Sequence, residues 1–489
     1  MTRRTLVLIA LGAFVTTLDN TIVAAGAPSI ARDLALDLGA LQWVALGYML
    51  PFAGLLLVAG TLIDRWGRRP ALAGGLLAFG LGAAAGGLAT SAGLLVAARV
   101  VQGAAAAFLV PGLLSLLRTN LDARGRTLGA AVWTACLAAA LALGPALGGL
   151  LSEYLGWGWI FFVNLPFVAA MLVLLPGTVP RGRDRPVPGS SSRRRRSSCR
   201  GGTSPPSAPA DPGPAAGAMA VVTASLVLLT AALVEVGEHP RTGVALLAAG
   251  GALGAAFVLR ERRTPARLVP AELTENRVFT GSLAVQVLWG LGISGVVFFT
   301  PLLHQDFLGL DPVRAGLPLA LVAVAVVAAT PLVPRAVARH GPHRTVAAGL
   351  GVVAAGLLAL AAVNHVPAVL PRVPGLVLIG AGSAFTTPLT SHALDVVAER
   401  HAGTASGLLT ASRELSSALG VALIGAVLTA VRALRLGAGA APGPALAAGY
   451  TAGLLAAAGL TLAGALLAVR VSRSGSAPTS SPRDKRAVP

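Results

Sequence analysis

Charge is scarce in this chain. Only 12% of its 489 residues are Asp, Glu, Lys or Arg, against about 25% in soluble domains. That speaks against a string of soluble domains, which length alone would suggest. Cysteine is nearly absent too. Cys136 and Cys199 supply neither a disulfide framework nor paired zinc ligands. His304, His340, His343, His365, His392 and His401 fall near loops or the ends of apolar runs and show no metal-ligand pairing. A phosphate-binding glycine loop and a Ser/His/Asp set are also missing, which argues against an ATPase or a hydrolase. The expectation is a chain that is no enzyme and holds no metal and no cofactor. Lysine occurs once, at Lys485. Arginine in its place, with abundant Ala and Gly, is the composition of a high-GC bacterial genome.

Apolar sequence fills the space that charge leaves. Mean hydropathy is +0.77, and runs near the length of a bilayer-crossing helix recur from end to end. Fourteen spans are expected, near 5–27, 41–60, 71–90, 94–117, 127–151, 160–177, 218–236, 242–259, 278–301, 313–333, 343–363, 371–391, 404–431 and 446–470. The first is read as a retained span, because no small-residue cleavage site follows a short apolar core. The formal charge of +19 resembles a nucleic-acid binder's, but the arginines lie between spans and not on one face, so no nucleic-acid partner is expected. With the N-terminus placed in the cytoplasm, only Arg32, Arg241, Arg314, Arg372, Arg432 and Arg435 fall on outer segments. Arg99 and Arg413 fall inside spans, and every other basic residue lies inside the cell. This bias puts both termini in the cytoplasm.

The fold expected is an all-α polytopic membrane protein. Residues 1–177 make a six-helix bundle, 178–217 a disordered basic cytoplasmic linker, 218–259 two additional helices, 260–470 a second six-helix bundle, and 471–489 a disordered tail. The linker carries Arg193, Arg194, Arg195 and Arg196 in a Ser, Pro and Gly-rich tract that cannot bury a core. The two bundles echo each other. Gly60 to Arg69 lies between the second and third spans, and Ala338 to Arg344 occupies the same place in the second half, with Ala338 where Asp64 would fall. Repeated halves of this kind enclose a midplane site in many transporters.

A few polar groups stand inside the spans. Asp19 lies in the apolar stretch Thr5 to Pro28, where a carboxylate costs roughly 2.5–3.5 kcal/mol on insertion scales. Arg99 and Gln102 lie in the fourth span. At ~1.5 Å of rise per residue, Gln102 reaches about the depth of Asp19, and a long arginine side chain covers the remaining offset. The three are expected to form one polar cluster in the outer half. In the loop from Gly60, the glycines at 60 and 67 permit a tight turn and close helix approach. Asp64 is expected near a helix start, within reach of Arg65, Arg68 and Arg69. Gly144, Pro145, Gly148 and Gly149 combine a kink with space for a facing helix. Arg413 and Glu414 lie near the centre of the thirteenth span, where Glu414 is either a second proton or cation site or a partner of Arg413 or of a neighbouring helix. Gln286 and Trp289 either line a cavity or pack in the core.

These motifs carry a resemblance. Gly60 to Arg69 follows the G-x-L-x-D-R-x-G-R-R signature of the major facilitator superfamily, and Arg99 to Ala107 resembles its R-x-x-Q-G-x-x-x-A pattern. Gly144 to Gly149 resembles the G-P-x-x-G-G element of the superfamily's exporters. Leu18 to Val23 and Gly156 to Pro166 resemble motifs of the fourteen-span drug/proton antiporters. The sequence departs from them at Ala24, Gly26 and Gly158, the last standing where that family has Arg. The resemblance implies efflux of small hydrophobic or cationic molecules, such as antibiotics, in exchange for protons, by a monomer in the cell membrane bilayer. The candidate proton-coupling residues are then Asp19, Arg99 and Glu414, and the candidate cavity residues Asn20, Gln102, Gln286 and Trp289. The resemblance implies gating at Gly60, Asp64, Arg65, Gly67 and Arg68 inside and at Gly144, Pro145, Gly148 and Gly149 outside. Two alternatives stay open: a solute importer on the same fold, and a non-transporting membrane sensor.

Overall fold

Helices make up all the regular structure among the described residues. The structure, a computed structural model, describes residues 2–179, 212–236, 239–264, 269–398 and 401–474. The first part of the chain forms α1 (Thr2–Asp33), α2 (Leu38–Trp66), α3 (Arg68–Gly87), α4 (Ala92–Thr119), α5 (Ala123–Tyr154), α6 (Trp159–Phe162) and α7 (Asn164–Thr178). A hairpin follows, α8 (Pro212–Glu235) and α9 (Pro240–Arg263), then the short α10 (Ala271–Glu275). The last part forms α11 (Arg277–Asp306), α12 (Pro312–Ala329), α13 (Val333–His340), α14 (Pro342–Val363), α15 (Val373–Ala384), α16 (Pro388–Asp395), α17 (Ala402–Gly437) and α18 (Pro442–Ser474).

Side-chain caps start many of these helices where the apolar runs begin. Asp37 accepts from the Ala40 N–H at 2.7 Å, Asp122 from Gly125 at 2.8 Å and Asp311 from Arg314 at 2.7 Å, while Asn276 accepts from both Val278 and Phe279. Each satisfies N–H groups that the first helical turn leaves unpaired. Gly67 ends α2 and starts α3 with φ +87°, and its N–H caps the Ile63 carbonyl. Gly341 does the same between α13 and α14 with φ +79°. The echo between the halves is therefore a shared backbone turn.

Thirteen helical stretches among the described residues are long and apolar enough to cross a membrane. The expected span at 218–236 corresponds to α8, whose apolar stretch Val221–Glu235 is shorter. This helix begins at Pro212, inside the segment read as linker. The rest of that linker beyond Val179, including its arginine run, lies outside the described residues, as does the tail beyond Ser474. Two spans expected to be continuous are broken. A 3-10 turn at Thr330–Leu332 separates α12 from α13, and α15 stops at Ala384 before Pro388 restarts the chain as α16.

In the N-terminal group α1 packs on α5, α4 and α7, and α2 and α3 pack on α4. In the C-terminal group α11 and α14 pack on α18, α11 and α18 on α17, and α12 and α14 on α15. The groups meet along two flanks, α2 against α17 and α5 against α12. The α8–α9 hairpin covers the first flank, α8 touching both α2 and α17. Both ends of the described chain lie on one face. An added Cβ at Gly177 would meet Arg4, one at Gly129 would meet Leu6, and one at Gly281 would meet Val471. On the opposite face Arg32, at the end of α1, donates to Gln305 at the end of α11 (2.8 Å) and lies 3.8 Å from Asp306.

Candidate functional site

The polar cluster exists, and it is shut away from the surface. Asp19, Arg99, Gln102 and Asn164 are fully buried. Arg99 Nη1 donates to Asp19 Oδ2 in a charge pair. Gln102 Nε2 donates to Asp19 Oδ1 at 3.1 Å and Asn164 Nδ2 to the same oxygen at 2.9 Å. Two further Arg99 N–H groups go to Gln102 Oε1 and the Val44 carbonyl, both at 3.1 Å. The carboxylate thus has three side-chain donors, the partners that a buried charge needs away from water. All four residues belong to the N-terminal group, on α1, α4 and α7, so the charge pair does not bridge the two groups.

Tyr48 on α2 joins this cluster to the space beside it. Its ring lies under the Arg99 guanidinium, 4.5 Å from centroid to Cζ, a distance for cation–π attraction. The same residue forms part of the wall of a cavity of about 280 Å³ between the groups. From the N-terminal group, Thr16, Thr17, Asn20 and Thr21 of α1 line this cavity with Trp133 of α5. From the C-terminal group come Gln286 of α11, Thr390 of α16, and Leu409, Thr410, Arg413 and Glu414 of α17. Val110, Leu114, Trp133 and Leu137 place it toward the face that carries the chain ends, because they lie in the last half of α4 and the first half of α5.

Not every residue expected at the cavity is there. Asn20 and Gln286 line it, and Gln286 Nε2 is committed to the Leu409 carbonyl at 2.8 Å. Gln102 is sealed within the Asp19 cluster, so it serves the carboxylate and not the cavity. Trp289 is absent from the wall and packs against two apolar cores, its indole N–H buried without a partner. Glu414 lies on the wall and is paired with Arg413, whose Nη2 and Nε reach Glu414 Oε1 at 2.9 and 3.2 Å. Two residues with no expected role complete the picture. Asn164 could have been found as the polar residue two places after the Trp-Ile-Phe-Phe run, and Tyr48 as a hydroxyl inside an apolar span.

The glycine–proline element lies where the groups touch on the face away from the chain ends. A Cβ on Gly144 would sit 2.0 Å from Thr21 Oγ1, and one on Gly148 would sit 2.7 Å from the Ile22 carbonyl oxygen and from Ala25 Cβ. These two glycines seat α5 on α1. Gly149 instead faces the C-terminal group, with the Pro312 carbonyl oxygen 2.5 Å from its would-be Cβ, and a Cβ on Gly316 would lie 2.5 Å from the Pro145 carbonyl oxygen. At the other face, Arg68 Nη1 donates to Thr119 Oγ1 at 2.7 Å, tying the start of α3 to the end of α4, and Arg65 is exposed. Gly60 has nothing within 4 Å of an added Cβ, so it serves no close helix approach. Asp64 falls in the last turn of α2 and not at a helix start, because the helix runs on to Trp66. Its side chain lies outside what the structure describes.

The sequence model of the Major Facilitator Superfamily matches residues 9–421. Multidrug efflux pump LfrA of Mycolicibacterium smegmatis is 32% identical over 430 residues, covering 87% of this chain and 80% of that protein. Puromycin resistance protein pur8 of Streptomyces alboniger is 32% identical across 95% of this chain and 90% of its own length. Cephamycin export protein CmcT of Amycolatopsis lactamdurans is 34% identical across 86% and 83%. Among solved structures, an auto-inhibited peptide transporter of the POT family superposes with a TM-score of 0.68 at 14% identity, covering 99% of each chain. An inward-facing, unoccupied bacterial homologue of the lysosomal transporter Spinster gives 0.66 at 16% identity and 97% of each.

Proposed function

The chain belongs to the Major Facilitator Superfamily, and from that membership we propose that it is a proton-coupled exporter of small molecules such as antibiotics, working as a monomer in the cell membrane. Relatives named as multidrug and antibiotic efflux or resistance proteins support efflux. The arginine bias between the spans supports cytoplasmic termini, so the cavity lies toward the cytoplasm and the glycine-lined contact is the outer seal.

The observation that carries proton coupling is the pair Asp19–Arg99, fully buried and separated from the cavity by the ring of Tyr48. Protonating Asp19 removes its negative charge and leaves Arg99 held by Gln102, the Val44 carbonyl and the rings of Tyr48 and Phe161. The cluster sits inside one helix group, so its charge state reaches the other group through α2, which carries Tyr48 and packs on α17. Substrate in the cavity presses on the far side of the same ring. One tyrosine thus feels both the proton and the cargo, which is the minimum an exchanger needs to couple them. Glu414 is a second candidate proton site, its charge balanced by Arg413.

Asp64, Arg65, Gly67 and Arg68 form the cytoplasmic gate in this reading. A carboxylate in the last turn of a helix opposes the helix dipole, so Asp64 calls for one of the neighbouring arginines as partner. The deciding experiment is uptake into everted membrane vesicles with an imposed pH gradient. Drug accumulation that collapses with the gradient supports the exporter, and gradient-driven loss of drug would make it an importer. No drug-linked proton movement in either direction would leave a sensor.

A further inference from the structure

Resting on the reading of the cavity as the transport site, we propose that its cargo carries a carboxylate, which the exposed guanidinium of Arg413 binds. Among the described residues, Arg413 and Glu414 are the only charged side chains in the cavity wall. They are not equally available. The Arg413 side chain is 52% exposed and that of Glu414 12%. Leu409, Thr410, Arg413 and Glu414 fall on one face of α17, and all four line the cavity. Arg413 directs Nε and Nη2 at a single oxygen of Glu414, leaving most of its donors uncommitted in the planar fork that matches a carboxylate.

The other negative charge nearby does not reach the cargo. Asp19 is fully buried and charge-paired with Arg99 behind Tyr48. The charge that a cargo meets is therefore positive, and a permanent cation gains nothing at Arg413. The rest of the wall fits a small molecule with hydrogen-bond donors and an aromatic or apolar body. Thr16 and Thr21 give their protons to backbone carbonyls, which leaves their oxygens as acceptors, while Phe52 and Trp133 supply flat apolar surface. The volume of about 280 Å³ is near the lower edge of ligand pockets, roughly 300–1,000 Å³.

Hippurate, a carboxylate with one amide N–H and one aromatic ring, is the probe. Its methyl ester and tetraphenylphosphonium are the comparisons. Equilibrium binding to the purified full-length protein, with no gradient, is measured by calorimetry. Hippurate should bind at least tenfold more tightly than either comparison. Arg413→Gln should lose about tenfold for hippurate and little for the ester, while Glu414→Gln, which frees Arg413 from its partner, should tighten hippurate several-fold. The Glu414→Gln arm guards against Arg413→Gln simply misfolding. Equal binding of hippurate and its ester, preferred binding of tetraphenylphosphonium, or no change in Glu414→Gln overturns the proposal. Flux is scored separately: hippurate that binds as described but is not moved by a pH gradient would sink the exporter reading and leave the carboxylate site standing.

Discussion

Pro145 and Gly316 meet backbone to backbone across the boundary between the two helix groups, so closely that a Cβ on Gly316 would sit 2.5 Å from the Pro145 carbonyl oxygen. Pro145 cannot donate a backbone hydrogen bond, and Gly149 one turn on faces Pro312 with the same closeness. The contact is made of backbone, which leaves no side chain to swing aside. Either the helices fit or the face opens.

Gly149→Leu should therefore hold α5 off α12, with overpacking of about 1–3 kcal/mol. An introduced Asn20→Cys on the cavity wall would then react with a membrane-impermeant maleimide added from outside, and net efflux would fall. Gly148→Leu is expected to differ, because Gly148 packs on Ile22 and Ala25 within its own group. It should lower thermal stability with less outside labelling. If the two variants label alike, the division of labour within the element is wrong.

Asp19→Asn keeps the size of the side chain but leaves Arg99 as a buried charge without a counter-charge. Removing one partner of a buried pair costs about 3–5 kcal/mol, so the melting temperature in detergent should drop. The double variant Asp19→Asn/Arg99→Gln should regain much of that loss. Neither should export drug against a pH gradient. Restored export in the double variant would show that the pair is scaffolding and not the proton site.

The Tyr48 hydroxyl is buried without a hydrogen-bond partner, an arrangement that costs about 1–3 kcal/mol. Tyr48→Phe should thus be as stable as the parent or more so, and because the ring stays beneath Arg99, drug-stimulated proton flux should persist. Tyr48→Leu removes the ring and should uncouple the two fluxes while drug still binds. Coupled transport in the leucine variant would remove Tyr48 from the mechanism.

Two glycines of one motif should behave oppositely. Gly67 has φ +87° and ψ 148°, a region essentially closed to other residues, so Gly67→Ala should cost about 1–3 kcal/mol. Gly60 is an ordinary helical position with open space beside it, and Gly60→Ala should gain up to about 1 kcal/mol of helix propensity. Thermal melts of both variants test this directly.

What could be read from the residues follows from what one dimension records. Asp19, Arg99 and Gln102 could be grouped because depth along a straight helix is a count of residues. Rotation about the helix axis is not, and this separates the readings that agree with the structure from those that do not. Gln102 and Trp289 are at plausible depths but face packed interior and not the cavity, and Tyr48 faces both the cluster and the cavity. Asn164 follows the short helix α6, beyond the reach of a straight-helix count. The breaks at Thr330–Leu332 and before Pro388 carry proline signals, Pro331 and Pro388, that a count of span length alone passes over. The location of Asp64 was misjudged for a related reason: the turn falls at Gly67, and no residue before it interrupts the helix.

The paired turns at Gly67 and Gly341 have a consequence for how such a molecule diverges after duplication. The two share a positive-φ glycine and the same capping bond to the residue four back, yet Ala338 stands where the first copy has Asp64. The shape of the turn is common to both halves and the charge is not. A turn that lost its glycine would misdirect the helix that follows and everything packed on it, whereas a lost acid removes only its own interactions. The second copy is thereby a natural control for the first. Grafting Asp at 338 asks whether an old scaffold still accepts the chemistry that its twin retains.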